Sequence, residues 1–305
     1  MPTTVAPAGS STPAAVPSRL GGSLRAATAM TMLGCSTGVT ATFSSYPVAA
    51  GQALRYALAA AVLLPLARRR GPGPRPTPRE FGLLLALAAT GLFAFNLLMV
   101  TALRHTDPAV VGSIVGCTPL LLGVLGPLLS RRRPAARLLA AAALVVAGAA
   151  LTQGFGSGDT VGLLCAAGTL LCEAAFSLLA VPLLPRLGPV RVSAWTTALA
   201  VPLFAVTAAL SPVTLRAPTT TELLALLYLA LVMTCVAFLL WYSALTRLAP
   251  EHAGLFGGLI PLTAALSGAV LTATVPTAPQ LLGAVLVTVA LLLGPPRAAG
   301  RSVTT

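Results

Sequence analysis

Charge is what this sequence has least of. Six acids and two histidines are spread over 305 residues, and 8% of the chain is charged. A water-soluble domain needs a polar surface, and this composition cannot cover one. The few acids form no paired carboxylates, and no His, Cys, Asp or Glu group has metal-ligand spacing. Lysine is absent, so all 19 basic residues are arginine. They lie between hydrophobic stretches rather than on a basic face interleaved with aromatics, which argues against a nucleic-acid partner. Cys35, Cys117, Cys165, Cys172 and Cys235 all fall in apolar segments and make no C-x-x-C. They read as small buried hydrophobes, not as metal ligands or disulfides. The glycine cluster at 154–158 follows no strand, so no nucleotide-binding fold is implied and no cofactor is expected.

What the chain does have is apolar length. It is 56% hydrophobic, with a mean hydropathy of +0.92. Several stretches hold 18 or more mostly apolar residues, enough to cross about 30 Å of hydrocarbon. Ten spans are expected, near 26–45, 48–67, 81–101, 109–130, 136–153, 161–183, 191–211, 222–244, 252–273 and 279–295. They must be helices, because lipid offers backbone groups no partner. Asp107-Pro108 and Pro250-Glu251 have the chemistry of helix starts, with proline in the first turn. Residues 1–24, rich in Pro, Ser, Thr and Ala, read as a disordered tail without a cleavable leader, and 297–305 as a second short tail.

The arginines then orient the chain. With the N-terminus inside, sixteen fall in cytoplasmic segments and two, Arg104 and Arg216, in outer loops. That asymmetry places both termini in the cytoplasm. Arginine without lysine, with abundant Ala, Gly and Pro, points to a GC-rich bacterial genome and hence a bacterial plasma membrane.

One stretch is written twice. Ala102-Leu103, Pro108, Gly112, Gly116 and Pro119-Leu120 recur 142 positions later as Ala244-Leu245, Pro250, Gly254, Gly258 and Pro261-Leu262. Pro47-Val48 returns in the same register as Pro189-Val190. The chain therefore divides into 25–153 and 154–296, each with five spans. An odd number makes the second half enter the membrane from the opposite side. Inverted repeats of this kind build a midplane site between halves and open it to either side in turn.

The doubled block, Leu54-Arg55-Tyr56 in the second span and the run 281–287 in the last resemble the EamA family of the drug/metabolite transporter superfamily. The resemblance covers about 25–295. It implies an all-α membrane bundle of ten helices in two inverted five-helix repeats, export of small metabolites, and a cavity lined by spans one to four and six to nine. The sequence departs from the family at Gly34-Cys35 and Cys172-Glu173, where many relatives carry Trp-Gly or Trp-Ala. It departs again at Ser130-Arg131-Arg132-Arg133 and Ala273-Thr274-Val275, where a Gly-Glu-Arg turn is common.

Glu173 is the one acid placed deep in a span. A charge there costs at least about 2.5–3.5 kcal/mol on insertion scales, so the side chain should face the bundle or water. It could carry a proton, contact a cationic substrate, or be a protonated or arginine-paired structural group. Arg55 is the one deep arginine: it could pair with Glu173, hold a substrate carboxylate or act in gating. Asn96, Gln52, Trp195, Trp241 and Tyr242 are the other polar or amphipathic candidates, for which helix–helix bonding and interface anchoring are the competing roles. Pro119 and Pro261, at matched mid-span positions, each remove a backbone bond and should kink their helices as hinges or cavity-shaping elements. Gly112-x3-Gly116 and Gly254-x3-Gly258 favour close helix packing. His105 and His252 sit near span ends and read as solvated.

These features describe a secondary transporter of a small molecule in the lipid bilayer, working by alternating access and driven by a gradient, since no ATP-binding motif is present. A non-transporting scaffold and a membrane-embedded enzyme are the competing readings. The scattered acids supply no catalytic cluster for the enzyme. A homodimer stays open.

Overall fold

The computed structural model describes residues 19–36, 39, 46–71, 73–154, 156–211, 216–272 and 277–293. Its first half holds α1 (Arg19–Cys35), α2 (Val48–Arg69), α3 (Pro78–His105), α4 (Pro108–Val115), α5 (Thr118–Leu129) and α6 (Ala136–Gln153). Its second half holds α7 (Thr160–Leu178), α8 (Leu184–Leu210), α9 (Thr220–Leu245), α10 (Pro250–Gly254), a 3-10 turn at Leu255–Gly258, α11 (Leu259–Thr272) and α12 (Ala278–Leu293). Among the described residues, the only extended pairing is a single bridge between Thr106 and Gly158. Six stretches are long and apolar enough to cross a membrane: α2, α3, Pro108–Leu129, α7, α8 and α9. α6 and α12 are shorter apolar helices. Residues 19–24, expected in the tail, instead form the first turns of α1. The rest of that tail, most of 37–45, Ala273-Thr274-Val275 and the 297–305 tail lie outside the described residues.

Local chemistry explains where these helices begin. Thr77 and Glu80 cap α3 reciprocally, and Thr219 and Glu222 cap α9 in the same way. Each box satisfies two N–H groups that a helix start would otherwise leave open. The two boxes are 142 positions apart, in the register of the repeat. α2 begins directly after Pro47, and its counterpart in α8 resumes at Pro189 after a corner at Gly188. The corner needs φ 72°, a left-handed value that glycine adopts without strain. Asp107 does not cap α4 as expected. Its carboxylate accepts from the Ser157 backbone N–H and hydroxyl, tying the α3–α4 corner to the segment before α7.

Packing repeats the duplication. α2 lies along α8, and α6 along α12, so equivalent elements of the two halves pair with each other. α1 lies against α9 and α11, while α3, α4 and α5 lie against α7, the same arrangement with halves exchanged. This is the pattern that an internal twofold relation leaves. At the α6–α12 contact two glycines meet: a Cβ on Gly148 would lie 2.7 Å from the Gly283 carbonyl oxygen. Ala141 and Ala290, the repeat counterparts of Gly283 and Gly148, are buried in the same seam. Small residues let backbones approach where lipid supplies no hydrophobic drive between helices.

Large apolar side chains point outward: Leu164, Leu171, Leu210, Leu224 and Leu292 are all exposed. In water such a belt would drive aggregation; hydrocarbon solvates it. Cys172 and Cys235 are buried and Cys117 and Cys165 half-buried, as small hydrophobes should be. Cys35 departs from that expectation and is exposed, at the end of α1.

Candidate functional site

Two adjoining cavities, of about 130 and 170 Å³, share Met30, Glu173 and Trp241 in their walls. The first is closed by Arg55 and Tyr56 from α2, Phe95 and Asn96 from α3, Phe176 from α7 and Phe238 from α9. The second runs between the interrupted segments 108–129 and 250–272, with Gly112, Gly116, Pro119, Gly254 and Pro261 on its walls. α6 and α12 contribute to neither. Glu173 thus stands at the junction, and makes no hydrogen bond or ion pair among the described residues.

Its surroundings are built by local departures from α-helix. α3 and α9 each contain a π-helical segment, Ala88–Ala94 and Leu229–Val236, at repeat-equivalent positions. Such wide turns disturb the i→i−4 ladder and are common at functional sites. In α9 the Thr234 hydroxyl donates to the Leu229 carbonyl five residues back, at 3.0 Å, and accepts from Arg55 Nε at 2.8 Å. Arg55 is therefore held by Thr234 and forms no pair with Glu173. In α3, Gly91 lies against Phe176, where a Cβ would come within 2.9 Å of the ring. Asn96 Nδ2 donates to the Leu92 carbonyl at 2.7 Å and to the Tyr56 hydroxyl at 3.2 Å. Nothing in spacing or hydropathy announces these π segments.

The remaining candidates divide. Trp241 lines both cavities, with its indole N–H donating to Ser177 Oγ at 3.3 Å. Tyr242 is fully buried one position on, stacked on Phe176 with ring centroids 5.2 Å apart. Gln52 lines neither cavity, and its side-chain oxygen is buried without a hydrogen-bond partner among the described residues. Trp195 is remote: it sits edge-on to Phe81 in a groove with Arg75, Pro76 and Pro78.

The expected proline kinks need correction. The first run breaks at Gly116-Cys117, ahead of Pro119, which occupies the first turn of α5. The second passes through the 3-10 turn Leu255–Gly258 before Pro261, third residue of α11. A first-turn proline removes no intrahelical bond, so the prolines open new helices after the interruptions. The matched breaks themselves border the cavity.

Two carboxylates near span ends were not among the candidate site residues, although both are more buried than Glu173. Glu251 is paired with Arg132 at 3.1 Å, and Glu222 with Arg216. The same end of the bundle as Arg132 carries the pair Glu80–Arg186. At the opposite end Asp159 accepts from the Gly162 N–H and from His105, and these hold its carboxyl below the usual carboxylate range. His105 is thus paired rather than simply solvated.

The EamA-like transporter family matches this chain twice, over residues 21–153 and 160–293. The chain is 30% identical over 271 residues to a Bacillus subtilis (strain 168) protein named Uncharacterized transporter YetK, covering 84% of this chain and 81% of that one. It is 31% identical over 176 residues to Uncharacterized transporter YdeK of the same organism, covering 56% of this chain and 61% of the relative. A solved crystal structure superposes with a TM-score of 0.79 at 22% identity, covering 91% of this chain and 98% of the other, a likeness of fold. Matched in both halves, this multi-pass membrane protein belongs to the EamA-like transporter family.

Proposed function

We propose that the protein exports a small organic molecule by alternating access around Glu173. The observation that carries this reading is the unpaired Glu173 carboxyl where two cavities join, between matched interrupted helices of the two halves. Ten spans, inverted halves and cytoplasmic termini complete the proposal, supported by the arginine asymmetry and the twofold packing pattern. Transporter names among relatives favour this reading over an enzyme.

The chemistry follows from the walls. Aromatic and methionine side chains supply apolar contact, while Glu173, Arg55 and Asn96 supply a few polar groups that orient a ligand. A small, largely apolar molecule bearing one charged or polar group fits that lining. Glu173 can hold either a proton or a cationic substrate group, not both. Release of the proton on one side and of substrate on the other then couples the two. Arg55, steadied by Thr234, adds a guanidinium to the same cavity wall.

The test is flux in proteoliposomes under an imposed pH gradient, across amines, amino acids and neutral aromatics. Glu173→Gln should abolish gradient-driven flux while the protein still folds. Unchanged gradient dependence in that variant would remove the proton role. Absence of flux for every class would remove the transport reading itself.

A further inference from the structure

A third cavity, of about 400 Å³, lies at the arginine-rich end and takes no part in the site above. Its volume is within the roughly 300–1,000 Å³ of small-ligand sites. A helix run separates it from the central cavities. Along residues 250–261, Gly254, Gly257 and Pro261 face the central site, whereas His252, Leu255 and Phe256 face this one. With about 100° of turn per residue, those two sets occupy opposite sides of the run.

Three arginines from three segments line it: Arg19 at the start of α1, Arg132 after α5 and Arg247 after α9. Glu251 engages Arg132. The side chains of Arg19 and Arg247 make no hydrogen bond or ion pair among the described residues. One carboxylate against three guanidiniums, with His252 adding donor capacity, leaves positive charge uncompensated. Such a cluster is self-repulsive until an anion enters. Guanidinium forks match the paired oxygens of phosphate, and charge-assisted bonds to them are the strong ones. Apolar side chains of Leu255, Phe256 and Leu291 complete the lining. Leu291 belongs to α12, whose next residue, Leu292, is exposed on the outer, lipid-facing surface.

We propose that this cavity binds a phosphate group, presented by an anionic phospholipid or as a free anion. Because Arg19 and Arg132 come from the first half and Arg247 and His252 from the second, the bound phosphate bridges the halves. Basic pockets between membrane helices use this chemistry for lipid headgroups, with an apolar wall receiving the start of an acyl chain.

The full-length protein in micelles is offered equimolar phosphatidylglycerol and phosphatidylethanolamine, and bound lipid is counted by native mass spectrometry. Inorganic phosphate is titrated separately against the unfolding temperature. The double variant R19Q/R247Q should lose about tenfold or more in affinity for the anion that binds, as loss of two charge-assisted contacts requires. R104Q, which removes one charge from the opposite end, should leave binding unchanged. Selective retention of phosphatidylglycerol assigns the lipid source; protection by inorganic phosphate alone assigns the soluble one. Equal behaviour of wild type and double variant with both probes overturns the site, as does an equal loss in R104Q. If the double variant does not fold, the singles R19Q and R247Q are compared by the same criteria.

Discussion

The pair Arg132–Glu251 permits a quantitative test, because its partners differ in exposure. The Glu251 side chain is 3% exposed and that of Arg132 59%, with Nη2 donating to Oε1 at 3.1 Å. The second oxygen, Oε2, is buried with no hydrogen-bond partner among the described residues. Replacing Arg132 by Gln therefore strands a desolvated carboxylate. Breaking a fully buried pair this way costs about 3–5 kcal/mol. Solvent reaches this guanidinium and screens it, so we expect about 1–3 kcal/mol. Replacing Glu251 by Gln strands an arginine that water can solvate, and should cost about 1 kcal/mol or less. R132Q should thus be the more destabilising single change, and R132Q/E251Q should recover most of its loss. Unfolding of the four proteins in micelles, followed by intrinsic fluorescence in phosphate-free buffer, closes the cycle. Equal losses in the two single variants, or no recovery in the double, would refute the argument. The same cycle bears on the basic cavity, since E251Q frees Arg132 and should tighten phosphate binding.

Three further outcomes follow from local geometry. Gly148→Val places side-chain atoms against the Gly283 carbonyl, where backbone cannot yield, so α6 and α12 must part; overpacking of this kind costs about 1–3 kcal/mol and lowers the unfolding temperature. Thr77→Ala and Thr219→Ala each remove a cap and should each cost about 1 kcal/mol, read as a lower unfolding temperature. The lowered carboxyl of Asp159 stabilises the α7 start fully above the unfolded aspartate value near 3.9, and that contribution disappears as pH falls below it through the folded value. Protection from hydrogen exchange at 160–163 should accordingly fall only under strongly acidic conditions in the wild type, and already at neutral pH in Asp159→Ala, which removes the cap.

Much of the bundle was legible in the sequence because lipid imposes a simple code. A helix must be apolar and long, and arginine gathers at one end, so spans could be read from hydropathy and charge. The Pro-Val and A-L…P…G…P-L echoes carried the duplication, which the packing of α2 on α8 and of α6 on α12 then repeats. Residue type within a span was a guide too: Glu173, Arg55 and Asn96 all line the cavity. Azimuth was not legible. Trp241 and Tyr242 are neighbours in sequence but about 100° apart on a helix. One lines the cavity and the other is stacked behind it. Trp195 looked similar by type and span, yet it packs by Phe81. The π segments left no signal because Ala88–Ala94 and Leu229–Val236 are apolar apart from one threonine each, Thr90 and Thr234, an ordinary composition for a span. The capping boxes did leave one, a T-x-x-E spelling repeated 142 positions on, hidden beside the stronger hydrophobic pattern.

The matched glutamates of those boxes show where the twofold relation stops. Glu80 accepts from Arg186, which belongs to the other half, whereas Glu222 accepts from Arg216, six residues earlier in its own half. Arg216 also reaches across, to the Tyr46 ring 5.1 Å from its guanidinium and through its carbonyl, which accepts from the Tyr46 hydroxyl. At the arginine-rich end, by contrast, Glu80–Arg186 and Arg132–Glu251 both join the halves, and Arg191 donates to the Gly71 carbonyl at 2.9 Å. Equivalent carboxylates have thus been given unequal work. Moving the halves apart at the arginine-rich end breaks Glu80–Arg186 and Arg132–Glu251; moving them apart at the other end leaves Glu222–Arg216 intact but breaks His105–Asp159 and Asp107–Ser157. On the proposed cycle the two openings therefore break different sets of bonds, even though the backbone that performs them is duplicated. On that cycle the repeat supplies two ways to move, and the charged pairs at each end set which bonds each of them breaks.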